Sequence, residues 1–438
     1  MASQVAGAEY RTSPLAQDVI AKCLRENPQA FPPPSGRWDV GRMELFNEDR
    51  WEPVFREMRA QAPINKVSGT INGDYWNVAS HRGIVHVESL PELYSSSYLN
   101  GGITMLEPPK GADRSSGMQS FIAMDRPDHT VRRRVVATAF TPSEMVRLSG
   151  EVEERTARLL DSLPEGEEFD WVSEVSVRLT TSMLAVVFDF PREDKELLGF
   201  WSDWVGAIEA GQLPEVAAGR TQATHEMAAY FRELWNARRN SAAHGGDLLS
   251  MMAHSDALGS MSDREFLGTM VTLVTGGNDT TRNTMSGLVH ALNLFPDQRA
   301  LLESDPSLAG NAVPEIIRWV SPLVHMRRTA VADADLFGQS IKAGDKIVLW
   351  YISGNRDEEV FDQPEQFDVM RSNARRHIAF GYGIHRCVGA RLAEMQLRVL
   401  IEQMLARRVR VHLAGSPKRC GGAFLHGYDK LPVRIERY

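Results

Sequence analysis

The sequence is poor in cysteine: Cys23, Cys387 and Cys420 are the three in 438 residues. So sparse and odd a set supports no disulfide framework and fits a reducing compartment, so a cytoplasmic location is expected. Three thiols are too few for a four-thiolate iron–sulfur cluster, and closely spaced Cys and His ligands for zinc are missing. Long apolar runs are missing too. No stretch reaches 18 apolar residues and residues 1–27 hold no apolar h-region, so neither a membrane span nor a signal peptide is expected. Positive charge is in deficit, with 49 Lys and Arg against 57 Asp and Glu and a net charge of −8. That balance argues against nucleic acid as the main partner. What is there is 43% apolar and 24% charged. This is the composition of a soluble globular protein, long enough for two or three ordinary domains or one large one.

Taken in order, residues 1–40 carry Pro28 and Pro32-Pro33-Pro34 and read as an extended arm lying on the body. Residues 47–61 read as a helix with Trp51, Val54, Phe55 and Met58 on one face. Asn72-Gly73 between residues 64–67 and 75–78 is a hairpin signal, and a short helix follows over 81–88. The Ser-, Gly- and Pro-rich stretch 91–120 reads as a long loop, of the kind that is either functional or a bland surface excursion. Asp125 is placed to cap a helix whose first turn holds Pro127. His129 and Arg133, four apart, share a face of that helix and together suit an anionic group. Residues 143–245 are helical in pattern, punctuated by Pro191 and Pro214. Their stripe Trp201, Trp204, Val205 and Ile208 reads as core. Residues 409–438 read as short strands. No linker or repeat divides residues 41–438, which are expected to form one domain.

Three places resist an ordinary reading. The helical pattern over 263–295 is interrupted by Gly276-Gly277-Asn278-Asp279-Thr280-Thr281. Two glycines cost roughly 1 kcal/mol each against Ala, and Asp and Thr compete with the helix bonds. The cluster points to a function or a kink. Glu315 and Arg318 form an i,i+3 pair, ordinarily a surface contact. Cys387 stands among Gly381, Gly383 and Gly389 just before a helical pattern over 391–404. A helix N-terminus favours a thiolate, and the glycines leave room for a large flat group. A lone loop cysteine is otherwise a buried, inert residue.

The spacing of Phe380, Gly383, His385, Cys387 and Gly389 resembles the cysteine loop of the cytochromes P-450, the haem-thiolate monooxygenases. The resemblance runs through residues 45–435 and takes in the other motifs in family order. It implies a mainly α fold with a small β lobe, the triangular prism of that family. It implies haem b with Cys387 as the metal ligand and Phe380 and Gly389 framing it. His129, Arg133 and Arg328 would take the propionates, with Arg327 the alternative to Arg328, and His385 would be a further cofactor-binding residue of the loop. Asp279 and Thr280 would handle protons, and Gly276 would leave space over the iron. Glu315 and Arg318 would be a buried brace, 355–371 a meander packed on it, and 195–225 a mobile lid. Leu323, Val324, Met326 and Phe424 would form the substrate wall. O2 would be the co-substrate, with electrons passing from NAD(P)H through a ferredoxin and its reductase. The donor would dock on Arg375, Arg376, Arg386, Arg391 and Arg398. The protein would be a monomer.

Three segments, Thr275–Asn283, Pro322–Ala330 and Arg391–Arg398, look like the bacterial alkane and fatty-acid terminal-hydroxylase branch. They imply hydroxylation of a medium-length aliphatic chain at its end. Neighbouring branches that oxidise sterol side chains and methyl-branched lipids share parts of them, usually with Glu where Asp279 stands, and a sterol side chain, terpenoid or secondary metabolite is the alternative substrate. A haem carrier without turnover is the reading from another class, and it has no need of Asp279 and Thr280.

Overall fold

Apolar side chains spaced three and four apart turn most of the chain into helices that bury them against one another. The computed structural model describes residues 15–106, 117–241 and 245–438. Helices Pro142–Asp161, Arg178–Phe188, Glu196–Val205, Pro214–Arg239 and Asp263–Leu294 make up much of the body. One core gathers Phe188, Trp201, Trp204, Phe231, Trp235 and Phe266. A second joins Leu288, Leu292, Ile316 and Leu400 with Trp171. Among the described residues no helix is long and apolar enough to cross a membrane.

The helix Asp263–Leu294 is the axis of this body. Ser262 caps it, its side chain accepting the Glu265 N–H at 3.2 Å, as a Ser-x-x-Glu start favours. It runs unbroken through Gly276 and Gly277 for 32 residues, so the unfavourable cluster produces no break. The helix packs against Ala390–Ala406, which follows the cysteine loop, and against Glu196–Val205.

The β lobe is a five-stranded sheet in the order Ile64–Val67, Tyr75–Val78, Lys346–Trp350, His325–Ala330, Tyr94–Ser95. The hairpin and the helix His81–Glu88 lie where periodicity and Asn72-Gly73 put them. Tyr75–Val78 and Lys346–Trp350 run parallel; the other pairs are antiparallel. Arg328 faces Ile347 and Arg327 faces Val348 in register, so the two arginines leave the sheet on opposite sides.

The structure corrects several local expectations. Part of the arm is not extended: Ala16–Glu26 is a helix, and Ala16, Val19 and Cys23 enter the first core. Residues 1–14 of that arm, 107–116 of the long loop and 242–244 lie outside the described residues. Asp125 does not cap with its side chain. It instead accepts from the Ser95 hydroxyl and, at 2.9 Å, from the Ser96 N–H. The stretch 143–245 also contains a short strand, Phe169–Asp170, paired to Pro432–Arg437.

Candidate active site

The cysteine loop is shaped by backbone demands. Gly381 and Gly383 have φ of +69° and +64°, conformations that suit glycine. A Cβ on Gly383 would also collide with the Glu88 carbonyl. The Cys387 N–H donates to the Phe380 carbonyl at 2.8 Å, and helix Ala390–Ala406 begins after Gly389. Cys387 is an exposed residue, yet enough protein surrounds its thiol that burial governs its acidity. A group both accessible and deep lines a recess, not the outer surface. Burial raises the thiol above its ordinary value. The Gly389 and Ala390 N–H groups and the Arg133 and Arg386 guanidiniums act against it without prevailing. The helix start alone therefore does not produce a thiolate. A coordinated metal cation deprotonates such a thiol outright.

Beside the loop stand His129 and His385, their rings 4.3 Å apart. None of their four ring nitrogens has a hydrogen-bond partner among the described residues. Burial and the neighbouring cations, Arg133 for His129 and Arg328 for His385, push them down to about 4 and about 2. Arg133 lies against the loop, donating to the Arg386 carbonyl. Arg328 is held by Glu88, donating to Oε1 at 2.8 Å. Glu88 also accepts from the Tyr351 hydroxyl and the Tyr382 N–H, each at 2.7 Å. Buried polar atoms without partners are rare and call for an explanation. Each neutral imidazole offers one N–H, and these two donors, flanked by two guanidiniums, form a donor set for carboxylates next to the cysteine loop. These residues fit a haem with its propionates.

Arg327 points the other way, into a polar cleft of about 500 Å³ lined with Lys66, Asp74, Asp345 and Lys346. That cleft contains none of the candidate residues apart from the Arg327 alternative, and its charges suit no apolar substrate.

On the long helix, Gly276 is exposed, and a Cβ there would meet nothing within 4 Å. The Thr280 hydroxyl donates to the Gly276 carbonyl at 2.8 Å. Asp279 is buried. It accepts from the Ser202 hydroxyl at 2.5 Å and the Asn278 amide at 3.2 Å, and pairs with Arg282 at 3.2 Å. Burial lifts its carboxyl to about 6, against the pull of Arg282. Ser202 and Arg282 escaped the sequence reading. Arg282, one turn beyond Asp279, carried an i,i+3 signal; Ser202 carried none.

Glu315 and Arg318 are both wholly buried. Arg371 joins them, donating to Glu315 at 3.1 Å. Arg318 further donates to the carbonyls of Asn355, Pro364 and Gln366 at 2.8 to 2.9 Å. Of the expected wall, Leu323, Met326 and Phe424 are half-buried. Val324 is fully buried among Phe46, Phe55 and Trp350 in the core beneath the sheet, which leaves its side chain no open surface to line.

Known proteins resemble this chain over most of its length. The Cytochrome P-450 family profile matches residues 307–418. Linalool 8-monooxygenase of Pseudomonas putida is 34% identical over 91% of this chain and 98% of its own. Methyl-branched lipid omega-hydroxylase of Mycobacterium bovis is 32% identical over 92% and 96%. The solved cytochrome P-450 153 of Novosphingobium aromaticivorans superposes with a TM-score of 0.87 at 57% identity, covering 91% of this chain and all of that one. Relatives of this identity and coverage imply haem, O2 and electrons from redox partners. The chain belongs to the cytochrome P-450 family and is a monooxygenase.

Proposed function

We propose that the protein hydroxylates an aliphatic chain at or near its terminal carbon, using haem b held by Cys387 and electrons from NAD(P)H through a ferredoxin. The carrying observation is the pairing of the deep, accessible Cys387 thiol with the orphaned nitrogens of His129 and His385. When bound, haem would activate O2, one atom of which enters the C–H bond while the other leaves as water with two electrons from the donor and two protons. Cys387 holds its iron. Arg133 and Arg328 would offset the propionate charge, and the neutral His129 and His385 would each donate a hydrogen bond that helps fix its orientation. Phe380 and Gly389 shape the loop beneath it. Asp279, at about 6, can carry a proton near neutrality, and Thr280 stands one residue on to pass it inward. That pair disfavours a haem carrier.

The chain-end assignment rests on shape. Terminal C–H bonds are the strongest on a chain, so selectivity needs a wall that admits only the end. Gly276 leaves the space; Leu323, Met326 and Phe424 are apolar and half-buried. The name of one relative, an omega-hydroxylase of methyl-branched lipids, supports the reading. A second reading, oxidation of a terpenoid alcohol, is favoured by the linalool relative. A haem spin-state titration with octane, dodecanoic acid and linalool, followed by product analysis with a surrogate ferredoxin, its reductase and NADH, separates them. Shifts with the linear chains and ω-products support the first. Shifts confined to linalool or to bulky polycyclic compounds, or mainly subterminal products, overturn it.

For the donor, Arg375, Arg376, Arg386, Arg391 and Arg398 are all exposed. Arg398 reaches Glu402 at 3.9 Å and Arg391 the Phe140 carbonyl at 3.3 Å. Exposed cations on an acidic chain would suit a small acidic protein.

A further inference from the structure

Asp279 is held from a second helix as well as from its own. Ser202 donates to Asp279 Oδ1 at 2.5 Å. Gly206, at the end of the same helix, comes so close that a Cβ on it would lie 2.8 Å from Asp279 Oδ2. Next to Ser202, Asp203 accepts from Arg282 at 2.6 Å, and Arg282 reaches back to Asp279 at 3.2 Å. Asp203 is the partly exposed member of this set, with Gln17 donating to it at 2.7 Å. On the inner side, Asn278 donates to Asp279 and accepts from Thr180 at 2.6 Å. Both carboxylate oxygens thus meet the segment 202–206, whose register on the long helix is fixed by a hydroxyl, an ion pair and a glycine that admits no side chain.

We infer that Ser202 and Asp203 are positioning residues for Asp279, so that the seating of helix Glu196–Val205 determines the acid's orientation and hydrogen bonding and with them proton delivery. The inference rests on the reading of Asp279 as the proton-handling acid. Neither residue touches the reacting atoms; both act through the acid.

The charged and titratable groups that face Asp279 are few among the described residues. They are Arg282 on its own helix, Asp203 on helix Glu196–Val205 and Cys420 on strand Lys418–Gly421. Burial pushes the Cys420 thiol up to about 12, so it stays neutral over the working range. Helix Arg178–Phe188 contributes the uncharged Thr180. The two positioning residues act with opposite sign. Ser202 donates to the ionised acid and favours it. Asp203 repels it and also occupies Arg282.

The test is an infrared pH titration of the Asp279 carboxyl in the ferric holoenzyme, with the band assigned by its loss in Asp279→Asn. The pH profile of product formed per NADH is measured alongside. Ser202→Ala should move the midpoint up by about one pH unit, the size of one lost hydrogen bond to a charged group. Asp203→Asn should move it down, and Ser202→Thr should restore the wild-type value. The coupling profile should move with each. A purely structural role would lower melting temperatures and leave the midpoint alone. Should Ser202→Ala fail to fold, the sign of the Asp203→Asn shift and the Ser202→Thr value decide. Midpoints unchanged in the folded variants overturn the inference. An unchanged coupling profile in Asp279→Asn would instead overturn the reading of Asp279 itself.

Discussion

Arg318 grips both oxygens of Glu315, Nε to Oε2 at 2.7 Å and Nη2 to Oε1 at 2.8 Å, and solvent reaches neither side chain. A buried pair of this kind is costly to break from one side, because the remaining charge has no water to turn to. Arg318→Ala would also free three carbonyls of the segment 355–366. Loss of about 3–5 kcal/mol is expected, with little haem incorporated. Urea denaturation checks it, and a loss below about 1 kcal/mol would contradict the bracing role.

Cys387→Ala should abolish the red-shifted Soret band that ferrous, carbon-monoxide-bound protein shows with thiolate ligation. Cys23→Ala and Cys420→Ala should keep it. Retention of the band in Cys387→Ala would remove the ligand assignment.

Thr280→Ala should bind substrate normally and divert NADH into peroxide. Asp279→Asn should turn over about 10²-fold more slowly, the range for a lost positioned acid. The acid titrates at about 6, so coupled turnover should fall as pH rises through that value and lose this limb in Asp279→Asn. Stability follows the same sign. The native carboxyl keeps its proton to higher pH than the unfolded one. Its contribution is therefore complete below pH about 4 and lost as pH climbs through about 6. Asp279→Asn should flatten that part of a melting-temperature profile.

Val324→Ala should cost about 2 kcal/mol, for two buried methyl groups and the cavity left behind, with the product pattern unchanged. Leu323→Ala, Met326→Ala and Phe424→Ala should instead raise the share of subterminal products. Product ratios from one long-chain substrate distinguish the two groups. A changed pattern in Val324→Ala would return it to the wall.

Reduction by an acidic ferredoxin should slow steeply as salt rises, since the Debye length falls from roughly 30 Å at 0.01 M to roughly 10 Å at 0.1 M. Arg376→Glu and Arg386→Glu should slow it at low salt. A rate flat in salt and indifferent to both reversals would place the donor elsewhere.

Local chemistry was legible in the sequence wherever a few neighbouring residues settle it. The hairpin at Asn72-Gly73, the helix His81–Glu88 and the glycine-framed approach to helix Ala390–Ala406 follow from turn chemistry and short-range periodicity. Tertiary structure alone decided what meets across the chain. Glu88 reaches Arg328 from 240 positions away, Ser202 reaches Asp279 from 77, and Val324 packs into a core with Phe46 and Trp350. A side chain's direction on a short irregular segment, and the partner a buried charge finds, depend on how whole helices and sheets stack. Sequence spacing encodes period and cap; it carries no record of which faces will be pressed together.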